Sequence, residues 1–161
     1  MSDDDLTHVD AAGNARMVDV GDKAVTTRTA TARGQIALSA AALRAVVQRS
    51  AKKGDVLTIA QIAGIAGSKR TSDLIPLCHP LALSGVDVQL EVDEVASVIV
   101  CTATARTEGR TGVEMEALVA VSAALLTVYD MLKAVDRSMT LGPIGLLHKA
   151  GGRTASWTRD S

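Results

Sequence analysis

Polar and apolar positions alternate along parts of this chain with period two, and elsewhere with the three-to-four spacing of a helix. From Ala24 to Ala32 the β-branched residues Val25, Thr27, Thr29 and Thr31 fall on alternate positions, which is strand composition. Gln35 to Leu38 continues it extended. Ser39 is placed to cap a helix from about Ala40 to Ser50, with Leu43, Val46 and Val47 on one face. Lys52, Lys53 and Gly54 break that helix. Asp55 then caps a second one, whose apolar positions include Leu57, Ile59, Ile62 and Ile65. The clearest strand is Gly85 to Asp93, with Val86, Val88, Leu90 and Val92 on one side and Asp87, Gln89, Glu91 and Asp93 on the other. Val98 to Arg106 reads as its hairpin partner, and Thr107, Glu108, Gly109 and Arg110 as a loop. A long helix follows from about Glu114 to Val135, and Met139 to Leu147 supplies a last strand.

The order strand, helix pair, strand, strand, helix, strand is that of an α+β protein. It predicts a ferredoxin-like split β-α-β-β-α-β fold with an antiparallel sheet and an extra helix in the first crossover. The long helix is nearly all apolar from Ala117 to Tyr129, so it needs cover on several sides. The sheet supplies part of that cover, and the rest points to a neighbouring subunit. Residues 1–15 are polar and read as a mobile lead segment, 16–153 as one catalytic domain, and 154–161 as a tail.

Composition narrows the function. Net charge is −1 and aromatic content 1%, with no basic tail and no stacking platform, which disfavours nucleic acid. The acidic start, Ser2 to Asp5, is the opposite of a signal peptide, and the apolar stretch from Ala117 to Tyr129 is too short to span a bilayer. Two cysteines, Cys78 and Cys101, make no disulfide framework. These features predict a soluble cytoplasmic protein.

The run from Asp73 to Pro80 carries the first candidate chemistry. Two prolines bracket Leu77, Cys78 and His79, and the residues before them, Ile75 and His79, are biased to extended backbone. Neighbouring side chains of an extended chain point apart, so Cys78 and His79 are poorly placed to act as a thiolate–imidazolium pair. No paired-cysteine or histidine spacing suits a metal. Spacing leaves two readings: a buried thiol beside a hydrogen-bonded loop histidine, or the wall of a site.

The long helix carries polar groups only near its ends. Glu114 and Glu116 suit its N-terminus, either as a solvated acidic first turn or as site groups. Asp130 and Lys133 share a face near its C-terminus, where an acid opposes the helix dipole. They read as a surface ion pair or as functional groups. Glu116 and Asp130 lie about four turns apart, roughly 21 Å along the axis. One small substrate cannot touch both within one chain, so either they serve different sites or two subunits build one. Basic pairs sit at junctions: Lys52 and Lys53, Lys69 and Arg70, Arg106 and Arg110, Lys149 and Arg153. Each pair alone reads as solvated surface. Together, in a chain of net charge −1, they fit a phosphate-rich small ligand better than a polyanion, though no phosphate-loop or dinucleotide fingerprint is present.

These segments, with Leu6-Thr7-His8, Met17-Val18-Asp19-Val20, Lys53-Gly54-Asp55-Val56, Lys69 to Pro80, Thr111 to Leu118, Tyr129-Asp130-Met131 and Lys133-Ala134-Val135, make the chain resemble the cyclic pyranopterin monophosphate synthase family of molybdenum-cofactor biosynthesis. The resemblance implies a lyase. It converts (8S)-3′,8-cyclo-7,8-dihydroguanosine 5′-triphosphate to cyclic pyranopterin monophosphate and releases pyrophosphate. It implies a ferredoxin-like subunit in a homohexamer, a trimer of dimers with sites at the dimer interface. By motif, Asp130, Lys133 and Lys53 become the catalytic residues. Leu77, Cys78, His79, Glu114, Met115 and Glu116 become pocket residues, and Arg28, Lys69 and Arg70 contacts to the anionic ligand. No resident cofactor is implied, and Mg2+ only as a companion of the triphosphate. Gly145 stands where the family commonly has arginine, Arg153 where it has lysine, Val119 where it has threonine and Leu132 where it has cysteine. Two alternatives from other classes are a catalytically silent relative that scaffolds the same pathway and a generic oligomeric binder of phosphate ligands.

Overall fold

The threonine-rich run becomes the middle of a five-stranded antiparallel sheet. The computed structural model describes residues 12–152 and 156–160. In chain order the elements are β1 (Thr26–Ala37), α1 (Ala40–Val47), α2 (Val56–Ser68), α3 (Thr71–Leu74), β2 (Leu83–Asp93), β3 (Val98–Gly109), α4 (Glu114–Leu132), β4 (Thr140–Ala150) and β5 (Trp157–Thr158). The sheet order is β2-β3-β1-β4-β5. Its first four strands, with α2 and α4 in the crossovers, form the ferredoxin-like arrangement the pattern predicts.

Alternation along β1 decides which face of the sheet is covered. Ala30, Ala32, Gly34 and Ile36 are buried against the helical layer, while Arg33 and Ala37 are exposed on the other face. A Cβ added to Gly34 would lie 2.9 Å from Val121 and 3.2 Å from Leu125 of α4. The absent side chain therefore sets how closely α4 approaches the sheet. The core joins Ile36 and Ile99 of the sheet to Val121, Leu125, Val128 and Leu132 of α4, all fully buried. Burying each such side chain contributes about 1.5–3 kcal/mol. α4 is 19 residues long and apolar enough to cross a membrane by length and composition, longer than the stretch from Ala117 to Tyr129 that pattern alone marks. Here it is the central core helix.

Several boundaries differ from the sequence pattern. Thr107, Glu108 and Gly109 are not loop but the end of β3, paired with Arg28, Thr27 and Thr26. The buried Thr107 hydroxyl donates to the Ala82 carbonyl at 2.6 Å, which satisfies a polar group that pattern reading assigns to solvent. α1 stops at Val47, ahead of Arg49 with its φ of 51°, and Val47 is exposed. In α2 the buried face is Val56, Ala60, Gly64 and Ser68, at helical spacing of four, so Ile59 and Ile62 face outward. The close approach of α2 to α4 selects these small residues: a Cβ on Gly64 would meet the Ala120 carbonyl at 2.9 Å. α4 ends at Leu132 rather than Val135, and β4 runs on to Ala150. Asp73 and Leu74 close the short helix α3, whereas Ile75 is extended as its following proline requires. Trp157 and Thr158 of the expected tail add a short edge strand to β4. Most of the 1–15 lead segment, and Arg153, lie outside the described residues.

Candidate active site

Each end of α4 carries its own cluster. At the C-terminal end, Asp130 receives both lysines: Lys53 Nζ donates to Oδ2 at 2.7 Å and Lys133 Nζ to Oδ1 at 2.6 Å. Lys53 also donates to the Asp130 carbonyl at 3.0 Å. One lysine comes from the α1–α2 turn, where Gly54, with φ of 102°, lets the chain reverse into the Asp55 cap. The other is the C-cap residue of α4. Hydrogen bonds from Lys133 and then Lys53, with the charges behind them, hold the Asp130 carboxyl down at about 2. The trio is about half exposed. An acid at a helix C-terminus is thus stabilised by two ammonium groups, which remain free to meet further anionic charge.

At the other end, α4 has no side-chain cap at Val113, and its first turn opens into a cavity of about 310 Å³. Leu77, Cys78 and His79 form one wall, and Glu114, Met115 and Glu116 another. His79 Nε2 lies 2.8 Å from the Val18 carbonyl, so the imidazole ties the segment carrying Val18, Val20 and Lys23 across the cavity. Glu116 is 4% exposed. Burial, and secondarily the neighbouring Glu114, raises its carboxyl above the ordinary range. Burial also raises the Cys78 thiol, reinforced by Glu116 and Glu114. Cys78 is therefore held as a thiol, unlike an activated nucleophile. Although extended geometry sends neighbouring side chains apart, both Cys78 and His79 line this cavity, because Pro76 and Leu77 turn the chain just before them. Cys101, under the sheet, is pushed up to about 12 by burial alone and takes no part.

The three remaining candidates sit elsewhere. Arg28 donates to the Gly109 carbonyl at 2.9 Å and the Arg110 carbonyl at 3.1 Å. It straps down the loop that delivers Thr111 and Gly112 to the cavity. Arg70 is exposed and 3.5 Å from Asp73. Lys69 is the exposed C-cap of α2. Neither lines the cavity. Lys149 approaches Glu114 at 3.1 Å, anchoring the first turn of α4 to β4. Residue reading does not single out Val18, Val20, Lys23, Leu81, Thr111 and Gly112 as lining, although two of the family-like stretches contain four of them. Among the described residues, Lys23 is the one lysine or arginine of the cavity wall, and the position of its segment, latched by His79, identifies it.

Two cations on one carboxylate, and a buried carboxyl that shares a cavity with an imidazole, define acid–base and anion-stabilising equipment on a ferredoxin-like scaffold. The chain belongs to the MoaC family, whose model matches residues 17–152. It is 59% identical over 155 residues to the cyclic pyranopterin monophosphate synthase of Rhodospirillum rubrum, covering 96% of this chain and 93% of that protein. It is 54% identical over 155 residues to the protein of the same name from Chloroflexus aurantiacus, covering 96% and 95%.

Proposed function

We propose that this chain is a cyclic pyranopterin monophosphate synthase. It takes the tricyclic 3′,8-cyclo-dihydroguanosine triphosphate, rearranges it to cyclic pyranopterin monophosphate and expels pyrophosphate. The observation that carries this reading is Asp130 held between Lys53 and Lys133. Expelling pyrophosphate builds negative charge on the leaving oxygens, and the two ammonium groups are placed to receive it. Ring opening and pyran formation need protons moved at several atoms. Asp130 stays ionised and orients the two lysines, while Glu116, raised by burial, suits an acid. Arg28 acts as a positioning residue for the 109–112 loop, and Lys23 contacts substrate phosphate. Leu77, Met115 and the prolines give the pterin ring a stiff wall.

The site is completed by a second copy of the chain, within a trimer of dimers. The clusters at the two ends of α4 are about 21 Å apart along its axis. Between them runs an outward apolar stripe, with Leu126 58% exposed on α4 and Ile62 61% exposed on the adjoining α2. A two-fold partner laid antiparallel on this stripe covers it. The same operation sets Asp130 of one copy near the cavity of the other, twice over, because an isologous interface repeats every contact. The enzyme works in the cytoplasm without a resident cofactor, with Mg2+ arriving only on the triphosphate.

Turnover of the tricyclic triphosphate by wild type and by Asp130→Asn and Lys133→Ala tests the reading. Both variants lose at least about 100-fold in kcat, within the range of acid–base and charge-stabilising groups, while the assembly keeps its size. Near-normal activity in either variant, or none in a correctly assembled wild type, overturns it. The second outcome would favour a silent scaffold.

A further inference from the structure

The face of the sheet turned away from α4 holds a separate concavity of about 390 Å³ between β1 and β4. Arg33 stands opposite Gly145 in the strand register, so the two occupy the same face. Arg159, from the segment after β5, lies over that glycine: a Cβ on Gly145 would fall 2.7 Å from Nη2 of Arg159. The guanidinium is not loose. Its Nε donates to the Leu146 carbonyl at 2.8 Å, and the Arg159 backbone N–H donates to the Leu147 carbonyl at 2.8 Å. Two terminal nitrogens are left facing the cleft that it shares with Arg33 and Gln35.

The charge balance of this face is uneven. Arg106, also on it, is neutralised by Asp87 at 2.6 Å. Among the described residues, neither Arg33 nor Arg159 has an ion-pair partner, and no carboxylate lines their cleft. Glu91, Asp93 and Glu94 border Arg33 on its far side, in an adjoining groove, without pairing with it. Two like charges gathered in one concavity destabilise each other unless an anion joins them. Paired guanidiniums match a doubly charged phosphate ester better than a single carboxylate, because each presents a planar fork of donors. Pro143 and Leu147 supply an apolar shelf beside them, against which an organic body can rest.

We propose that this cleft is a second ligand site, on the sheet face opposite the catalytic helix, for a small phosphate monoester carrying a ring. The phosphate sits between Arg33 and Arg159 with the Gln35 amide as a further donor, and the ring lies on Pro143 and Leu147. The test is a titration of the isotope-labelled full-length assembly with GMP and, separately, guanosine, following the backbone amides of Gly34, Gly145 and Leu147 by NMR. GMP produces saturable shifts at these amides and guanosine does not. Arg33→Gln weakens GMP binding at these amides by about tenfold or more while leaving the thermal midpoint unchanged. Arg159→Gln weakens it similarly. Arg33 is the deciding position, because Arg159 also anchors the tail to β4. Absence of saturable shifts there, equal shifts with guanosine, or shifts indifferent to Arg33→Gln would each overturn the proposal.

Discussion

Mixing inactive variants probes whether one site is built from two copies. The structure divides the candidate residues between opposite ends of α4: Lys53, Asp130 and Lys133 at one, His79 and Glu116 at the other. Lys53→Ala removes function from the first cluster, and His79→Ala combined with Glu116→Gln removes it from the second. Each protein alone is inactive. In a two-fold dimer containing one copy of each, one interface site receives both damaged halves and the other receives both intact halves. Random reassembly of an equal mixture makes about half of the dimers mixed, each with one working site of two, so about a quarter of wild-type activity returns. The control is internal. Lys53 and Asp130 touch each other within one chain, so Lys53→Ala and Asp130→Asn damage the same half, and mixing them restores nothing. The assay is pyrophosphate release after dissociation in mild denaturant and reassembly, with subunit exchange checked by mass-tagged chains. No recovery with exchanged subunits in the first mixture would refute the shared site, as would recovery in the control.

Three further outcomes follow from the geometry. Glu116 binds a proton more tightly in the folded chain than in the unfolded one, so its contribution to stability is complete below about 4.5 and is lost as pH rises through the raised folded value. Glu116→Gln removes that loss, and the Tm of the variant gains on wild type as pH rises above about 4.5; a flat difference would show that the carboxyl is not raised by burial. Asp136, 7% exposed, accepts from the Ser138 hydroxyl at 2.6 Å and the Ser39 N–H at 2.7 Å, which hold it down at about 2. Its stabilisation is present above the unfolded value of 3.8 and is lost as pH falls through about 2, so Asp136→Ala lowers Tm at neutral pH and the deficit shrinks toward about pH 2; a deficit independent of pH would assign the loss to packing instead. Gly64→Ala forces a Cβ to 2.9 Å from the Ala120 carbonyl and costs about 1–3 kcal/mol by urea unfolding; a neutral result would mean that α2 can move off α4 freely.

The sheet and both main helices were legible because they carry strong periodicity. Gly85 to Asp93 alternates without interruption, and α4 is too long and apolar to be anything else. The ends were less legible. The hydroxyl of Thr107 finds a buried carbonyl that no local pattern announces. The outward Ile59 and Ile62 of α2 follow from close packing of Gly64 and Ala60, where contact distance outweighs hydrophobicity. At the site, the pairing of Asp130 with Lys133 followed from spacing three apart on a helix. Lys53, 77 residues away in sequence, is joined to them only by the packing of α2 on α4, and family resemblance, not periodicity, marked it. Family resemblance alone marks Arg28 as a contact to the anionic ligand. Its two carbonyl partners lie across the strand pair, visible only with β1 and β3 in register.

The most direct test of the central claim is the reaction itself. Purified, correctly assembled protein is incubated with the tricyclic cyclo-dihydroguanosine triphosphate, and pyrophosphate and oxidised pterin product are counted together. The account predicts repeated turnover with one pyrophosphate released for each pterin formed. Substrate that binds and stays intact, or pyrophosphate released without pterin, would contradict it.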